Sequence, residues 1–361
     1  MVVPAAADFP LQSSGGAAVS SRGSTARPAF PIAPHEFFHR IPAAPREIVR
    51  KAAAAAEAGE LRLSDLESVC HLGEGACGVV TKVRHRRTGT VFALKTAHYA
   101  GPSGAADEEA EALRRSAGSP HVVRCHAVLD GGAADAPAYV LELMDAGTLG
   151  GLLGRRGGRG IPERALAEVA ARCLQGLAHV HSRGVAHLDL RPDNLLANSI
   201  GDVKIGDFSV SRILYGRAGE HRRVSVAVGS PMYLSPERFE PDAHAGPRGA
   251  IAADIWGFGV TVLELFLGRC PFLPAGVRLS FQKLRQAICD GEPPSAPEGS
   301  AASPELRGFV AACLQKDPRQ RATVTQLLAH PFVAGRHVDE SRCALRELIV
   351  ETLEELSREL Y

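Results

Sequence analysis

HLDLRPDN, residues 187–194, is the stretch of sequence that decides the fold. It places Asp189 and Asn194 five residues apart, and a further aspartate, Asp207, opens the sequence DFS thirteen residues after Asn194. Carboxylate and amide oxygens are ligands that Mg²⁺ prefers, and a carboxylate can also accept a proton from a reacting hydroxyl. The intervening LLANSIGDVKIG predicts a hairpin, which would bring Asn194 and Asp207 to the same place.

A glycine-rich segment lies far upstream, at Gly73-Glu74-Gly75-Ala76-Cys77-Gly78-Val79. Glycines let the backbone approach phosphates closely, and the valine can cover a base. The pattern alone is also compatible with a plain hairpin turn. It falls between two predicted strands, whereas the glycines of a dinucleotide-binding Rossmann fold lie between a strand and a helix. A Rossmann fold is therefore excluded.

A lysine, Lys95, ends the apolar strand VFALK (91–95), seventeen residues after Gly78. In a nucleotide cleft such a lysine neutralises phosphates and is oriented by a glutamate from a helix. The predicted helix ADEEAEALRRSAG (106–118) offers Glu109 as that partner, with Glu108 and Glu111 as alternatives.

The character of the chain changes near Gly147. Before it, from about Leu61, bursts of β-branched residues separated by turn signals predict five strands and one helix. After it, apolar residues recur at helical spacing, as at 161–184. The sequence therefore predicts an α+β protein with two lobes: a small five-stranded β lobe with one helix at 61–144 and a larger α-helical lobe at 145–332. Residues 333–361 predict an amphipathic C-terminal helix.

The composition indicates which classes of partner and which cellular compartment are expected. The 361 residues carry a formal net charge of +1, so whole-chain charge indicates neither nucleic acid nor an acidic membrane surface. The longest apolar run, at 255–268, is too short to cross a bilayer and contains Glu264. Eight scattered cysteines without a C-x-x-C pair predict free thiols in a reducing compartment, and we see no secretory signal.

The first 60 residues are rich in alanine, proline, glycine and serine and are predicted to be a disordered extension. For the whole chain we expect a cytoplasmic monomer, and the sequence leaves nuclear entry open.

From about Leu66 to Phe332 these motifs, in this order, resemble the eukaryotic protein kinases. SPHVVRCHAV (119–128), LELMDAGTL (141–149), VGSPMYLSPERF (228–239) and DIWGFGVTVLEL (254–265) resemble the plant mitogen-activated protein kinase kinases. The resemblance implies the bilobal kinase fold and the cofactors ATP and Mg²⁺. It also implies a MAP kinase as substrate and an upstream MAP kinase kinase kinase as a further partner.

The resemblance assigns roles to individual residues. Asp189 would accept the proton of the attacking hydroxyl, Lys95 and Arg191 would face the phosphates, and Asn194 and Asp207 would hold magnesium. Leu141 would be the gatekeeper, followed by Glu142 and Met144 in the hinge that binds adenine. The predicted nucleotide-binding set is Leu72, Gly73, Glu74, Gly75, Ala76, Cys77, Gly78, Val79, Val80, Ala93, Lys95, Glu109, Leu141, Glu142 and Met144.

Three further residues have structural roles by the same resemblance. Glu237 and Arg321 would form a buried ion pair, and Asp254 would hold the backbone of the catalytic stretch.

Three residues depart from the family pattern. Leu188 replaces an arginine that receives the phosphate of the activation loop, Arg191 replaces a lysine, and Ser209 replaces the glycine of DFG. The activation loop has no Ser or Thr from Ile213 to Val224. The paired changes at Leu188 and in the loop favour a kinase with little dependence on its own loop phosphorylation. The alternatives are a pseudokinase scaffold that binds nucleotide and a MAP kinase without useful turnover, and a different ATP-binding enzyme on this fold.

Overall fold

The computed structural model describes residues 61–75, 77–97, 105–130, 136–215, 229–239, 246–273 and 279–359. The predicted disordered extension 1–60, Ala76 and the activation-loop residues 216–228 lie outside the described residues.

The N-terminal lobe (N-lobe) is built on an antiparallel sheet with the strand order β1-β2-β3-β5-β4. Its strands are β1 (Leu66–Gly75), β2 (Gly78–His85), β3 (Val91–Ala97), β4 (Cys125–Asp130) and β5 (Pro137–Leu141). Helix α1 (Ala105–Arg115) follows β3, and two arginines in its last turn lie at the end where the helix dipole favours positive charge. The predicted lobe of five strands and one helix is confirmed.

The C-terminal lobe (C-lobe) is mainly helical. Its helices are α2 (Leu149–Arg155), α3 (Glu163–Ser182), α4 (Pro247–Leu267), α5 (Phe281–Cys289), α6 (Pro304–Cys313), α7 (Val324–Leu328), α8 (Pro331–Ala334) and α9 (Val338–Glu359). One apolar cluster, with Trp256, Phe258 and Phe309 among its largest members, forms the core around α3 and α4. The α+β bilobal architecture predicted from the sequence is thereby confirmed.

Helix α4 lies at the centre of the C-lobe. It starts with Pro247 in its first turn and ends at Gly268, whose φ of 76° is the left-handed cap that favours glycine. It is long and apolar enough to cross a membrane by length and composition alone, but 72% of its most apolar stretch is buried inside the fold. These properties fit the core helix of a folded domain.

Helix α9 packs on α3 through an apolar face that includes Leu345, Leu348 and Ile349. The connection is reinforced by the buried carboxylate of Glu168 on α3, whose Oε2 accepts from Arg336 at 3.0 Å. The C-terminal helix is therefore an integral part of the C-lobe surface.

Three short antiparallel pairings hold the loops between the lobes. β6 (Gly147–Thr148), β8 (Leu195–Ala197) and β9 (Val203–Ile205) form one small sheet, and β7 (Val185–Ala186) pairs with β10 (Arg212–Ile213). β7 ends immediately before His187, and β8 and β9 form the hairpin predicted between Asn194 and Asp207. The sheets therefore bring HLDLRPDN and DFS to one edge of the cleft.

Candidate active site

The backbone of the catalytic stretch is held by a buried carboxylate from α4. Asp254 Oδ2 accepts the main-chain N–H of His187 at 2.9 Å, and Oδ1 accepts that of Leu188 at 2.6 Å. His181 Nε2 lies 2.7 Å from Oδ2. Burial works against ionisation, but these hydrogen bonds, led by the one from His181, hold the pKa of Asp254 below its usual range. The role expected for Asp254 is confirmed.

Leu188 has a φ of 66°, a conformation that costs a residue with a Cβ roughly 1–2 kcal/mol. The two hydrogen bonds to Asp254 explain how this backbone is maintained, because they fix the peptide N–H groups on either side of His187.

The Asp189 carboxylate is oriented from two sides. Asn194 Nδ2 donates to Oδ2 at 2.9 Å and to the Asp189 main-chain oxygen at 2.7 Å. The main-chain N–H of Ser230 donates to Oδ1 at 2.7 Å. Since the amide nitrogen of Asn194 is turned towards Asp189, its Oδ1 is directed away and can serve as a ligand.

Lys95 connects the two lobes. Its Nζ lies 2.7 Å from Glu109 Oε1 and 2.7 Å from Asp207 Oδ1. Burial alone would lower the pKa of Lys95, but the Asp207 and Glu109 carboxylates outweigh it and raise the pKa above its ordinary value. The same ammonium outweighs burial at Asp207 and lowers its pKa. Of the three glutamates considered on α1, the structure joins Glu109 to Lys95.

The strand register places the predicted nucleotide contacts on one face of the sheet. Val80 lies opposite Lys95, and Ala93 lies opposite Leu141. Because side chains directly opposite each other, and those two residues apart on one strand, share a face, all four face the cleft. Val79 lies opposite Thr96 and therefore faces the other side. The prediction that Val79 covers the base was wrong, and Val80 has the position to do so.

The glycine-rich turn has room for a ligand. A Cβ added at Gly73 or Gly75 would meet no atom within 4 Å, whereas one at Gly78 would lie 2.3 Å from Thr96 O. Packing within the protein therefore requires glycine at Gly78 alone of the three, and the other two keep a surface that a phosphate can approach. Leu72, at a shift in the β1–β2 register, is 47% exposed.

Two other residues of the glycine-rich segment are described there. Glu74 is exposed at the end of β1, and Cys77 is half-buried in the turn.

The hinge follows β5, but its glutamate does not point at the nucleotide cleft. The Glu142 carboxylate accepts from Lys204 on β9 at 2.6 Å and 2.8 Å, so any contact with adenine would be made by its main chain. Met144 is 6% exposed, and its carbonyl accepts the N–H of Gly147 at 3.1 Å.

The oxygens near Asp189 fit a magnesium ion. Asp207 Oδ1 accepts from Lys95 and from the N–H of Ser209 at 3.3 Å, and its side chain is 39% exposed to the cleft. Asn194 Oδ1 is a second hard oxygen donor. Among the described residues no group of three or more His, Cys, Asp or Glu could hold a metal. A site with few protein ligands suits Mg²⁺, which usually keeps waters and binds substrate phosphates as well.

The three residues that depart from the family pattern fit their surroundings. Ser209 is not among the described residues with a positive φ, so its Cβ carries no conformational penalty. Leu188 is 8% exposed and packs in a small apolar cluster with Leu214 and with Ala250 and Ala253 of α4.

Arg191 is engaged with protein groups. It donates to Asp193 and, through Nη1, to Ser230 Oγ at 2.9 Å, and its guanidinium lies 5.7 Å from the centre of the Tyr233 ring. Nε is buried without a hydrogen-bond partner in the described part of the chain. The predicted phosphate contact of Arg191 remains a prediction.

The buried ion pair between Glu237 and Arg321 is confirmed, with Nη1–Oε1 at 2.6 Å and Nη2–Oε2 at 2.9 Å. The pair holds the segment Ser235-Pro236-Glu237 in the C-lobe, because Glu237 belongs to that segment. Sequence reasoning did not identify the contact of Ser230 with Asp189, because it is made by a main-chain N–H and depends on no residue type.

The fold and this arrangement define a protein kinase. The model of the protein kinase domain matches residues 66–333. Among curated relatives, mitogen-activated protein kinase kinases 9 and 7 of Arabidopsis thaliana are each 42% identical to the chain. The first alignment covers 74% of this chain and 84% of the relative, and the second covers 75% and 85%. Mitogen-activated protein kinase kinase 10 of the same plant is 38% identical over 76% of the chain and 86% of the relative. The chain belongs to the plant mitogen-activated protein kinase kinase family of protein kinases.

Proposed function

We propose that this protein transfers the γ-phosphate of ATP to the activation-loop threonine and tyrosine of a MAP kinase. The observation that carries the proposal is the joining of Lys95, Glu109 and Asp207 by contacts of 2.7 Å, together with the orientation of the Asp189 carboxylate by Asn194 and Ser230. The names of the relatives support a MAP kinase as the substrate.

In this mechanism each residue has one task. Asp189, fixed by Asn194 and Ser230, accepts the proton of the attacking hydroxyl. Lys95 binds the α- and β-phosphates and holds the triphosphate in position for in-line attack. Asn194 and Asp207 would hold magnesium, which when bound neutralises negative charge on the phosphates.

The N-lobe surface supports nucleotide binding. Val80, Ala93 and Leu141 form an apolar wall on the cleft face of the sheet. The main chain at Glu142 and Met144 supplies polar groups for adenine.

The test uses the purified full chain and its Asp189→Asn variant with Mg-ATP and catalytically inactive MAP kinases. We expect phosphate on the activation loop of the substrate with the wild type, and a reduction of about 100-fold or more with the variant. Omitting magnesium should abolish the signal. Equal signals from the two proteins would refute the proposal and favour a nucleotide-binding scaffold.

A further inference from the structure

Glu108 and Glu109 are neighbours on α1, but their side chains have different partners. Glu109 binds Lys95, whereas Glu108 faces strand β10. Glu108 Oε1 accepts the main-chain N–H of Ile213 at 3.1 Å, and Oε2 lies 3.8 Å from Nη1 of Arg212. Consecutive residues of a helix project about 100° apart, so α1 can hold the nucleotide lysine and the segment after DFS at the same time.

The same segment is also held by the C-lobe. β10 pairs with β7, and the N–H of Leu214 donates to Gly184 O at 2.8 Å. The Leu214 side chain, fully buried, packs with Leu188 and with α4. Residues 212–214 are therefore attached to α1 by a carboxylate and to the catalytic stretch by apolar packing.

The described residues at the far side of the activation loop contact the catalytic stretch as well. Gly229 has a φ of 105°, and a Cβ there would lie 2.6 Å from the carbonyl oxygen of Leu188. The next N–H, of Ser230, donates to Asp189. Both ends of the loop are thus fixed at residues 188–189 by contacts that require no phosphate.

We propose that Glu108 is a positioning residue: its own carboxylate links α1 to residues 212–214, the segment that follows DFS. In the family pattern a loop phosphate is received at the position of Leu188. Here Leu188 offers an apolar surface to Leu214, and the anion that contacts the segment comes from α1. Glu109, the partner of Lys95 on β3, lies on the same helix as Glu108, so the Glu108 contact also positions the Lys95–Glu109 pair.

This role rests on the proposed kinase function, and it predicts that the unphosphorylated chain is active. Charged hydrogen bonds of this kind are strong, and their loss frees the donor. Replacing Glu108 by alanine would release the Ile213 N–H and loosen α1, whereas glutamine keeps an oxygen that can accept it.

Amide hydrogen exchange over residues 212–215 tests the link without reference to activity. We expect Glu108→Ala to exchange about tenfold faster than the wild type, and Glu108→Gln within about threefold of it. Glu111→Ala is the matched control, because Glu111 pairs with Arg114 and Arg115 of its own helix. Equal exchange in Glu108→Ala and Glu111→Ala would overturn the proposal.

Kinetics of phosphatase-treated protein then test the positioning role. We expect treatment to leave wild-type activity intact, and Glu108→Ala to lower kcat/KM about tenfold with a higher KM for ATP. Glu108→Gln should recover most of the loss. Loss of wild-type activity on dephosphorylation, or unchanged kinetics in Glu108→Ala, would overturn the role. If the wild type is inactive but Glu108→Ala still exchanges faster at residues 212–215, the proposed function is refuted and the contact of Glu108 with Ile213 is upheld.

Discussion

Lys95 Nζ lies 2.7 Å from Oδ1 of Asp207, so one ammonium joins a strand of the N-lobe to the DFS segment of the C-lobe. Glu109 contacts the same nitrogen from α1 at the same distance. The strand that carries the phosphate-binding lysine, the helix that orients this lysine and the DFS segment are therefore already aligned. Alignment of this kind reduces the entropic cost of reaching a reactive geometry.

Replacing Lys95 by methionine should lower kcat by about 100-fold to 1,000-fold, because a fixed positive charge at the phosphates is lost. It also leaves Glu109 and Asp207 without their shared partner. The measurement is steady-state phosphorylation of a MAP kinase, with thermal unfolding to verify the fold. Lys283→Met, at an exposed position on α5, is the control and should retain activity. A kcat within threefold of the wild type for Lys95→Met would contradict the assignment.

Arg321 and Glu237 provide a stability prediction. Their side chains are 0% and 3% exposed, and the Arg321 guanidinium also lies 5.2 Å from the centre of the Trp256 ring. Arg321→Ala leaves a buried carboxylate without its cation and should lower the free energy of unfolding by about 3–5 kcal/mol. Denaturant unfolding measures this change.

The matched control is Arg319→Ala, two residues away. Arg319 pairs with Asp317 but its side chain is 82% exposed, so its removal should cost at most about 1 kcal/mol. Equal losses from the two variants would show that burial of the Arg321 pair has no special effect on stability.

Contacts that follow from the order of motifs could be predicted from the sequence. The β8–β9 hairpin between Asn194 and Asp207 is local, and it returns the chain because its two strands are short and separated by a turn. The pairing of Lys95 with a glutamate of α1 is also constrained, since α1 carries only three glutamates, Glu108, Glu109 and Glu111.

Contacts that depend on register or on distant packing could not be predicted. A shift of one residue exchanges the two faces of a strand, so the sequence alone does not decide which of the neighbours Val79 and Val80 faces the base. The partner of Glu142, Lys204, is 62 residues away in the sequence. The surroundings of Leu188 are set by α4, more than sixty residues further on. Such neighbours follow only from the assembled fold.

His126 should make stability depend on pH. Burial, assisted by the positive charge of Arg124, lowers its pKa to about 4, and its ring packs edge-on against Phe92 at 5.1 Å. Between about pH 6.5 and 4 the unfolded chain binds a proton that the folded chain does not. Protonation therefore favours unfolding, and stability falls as the pH is lowered through this window, by at most about 3 kcal/mol from this group.

His126→Phe should remove that contribution, so its free energy of unfolding should fall less steeply than that of the wild type from pH 6.5 to 4. Denaturant titrations at several pH values measure the difference in free energy of unfolding between the two proteins. Contributions of the carboxylates that both proteins share cancel in this difference. His71→Phe on the exposed part of β1 is the control. Parallel curves for His126→Phe and the wild type would exclude His126 as the cause.

Substitutions of Arg191 test whether this residue contacts the phosphate or supports the segment 229–239, which contains Ser230 and Tyr233. Its guanidinium binds Asp193 and Ser230 and lies over Tyr233, an arrangement that one ammonium group cannot reproduce. We expect support of this segment to be the main role of Arg191. Arg191→Lys should then raise the KM for the MAP kinase several-fold and keep kcat within about threefold. Arg191→Ala should lower kcat about tenfold or more. Arg183→Ala, exposed at the end of α3, is the control. Wild-type kinetics in Arg191→Ala would show that Arg191 has no role in the active site.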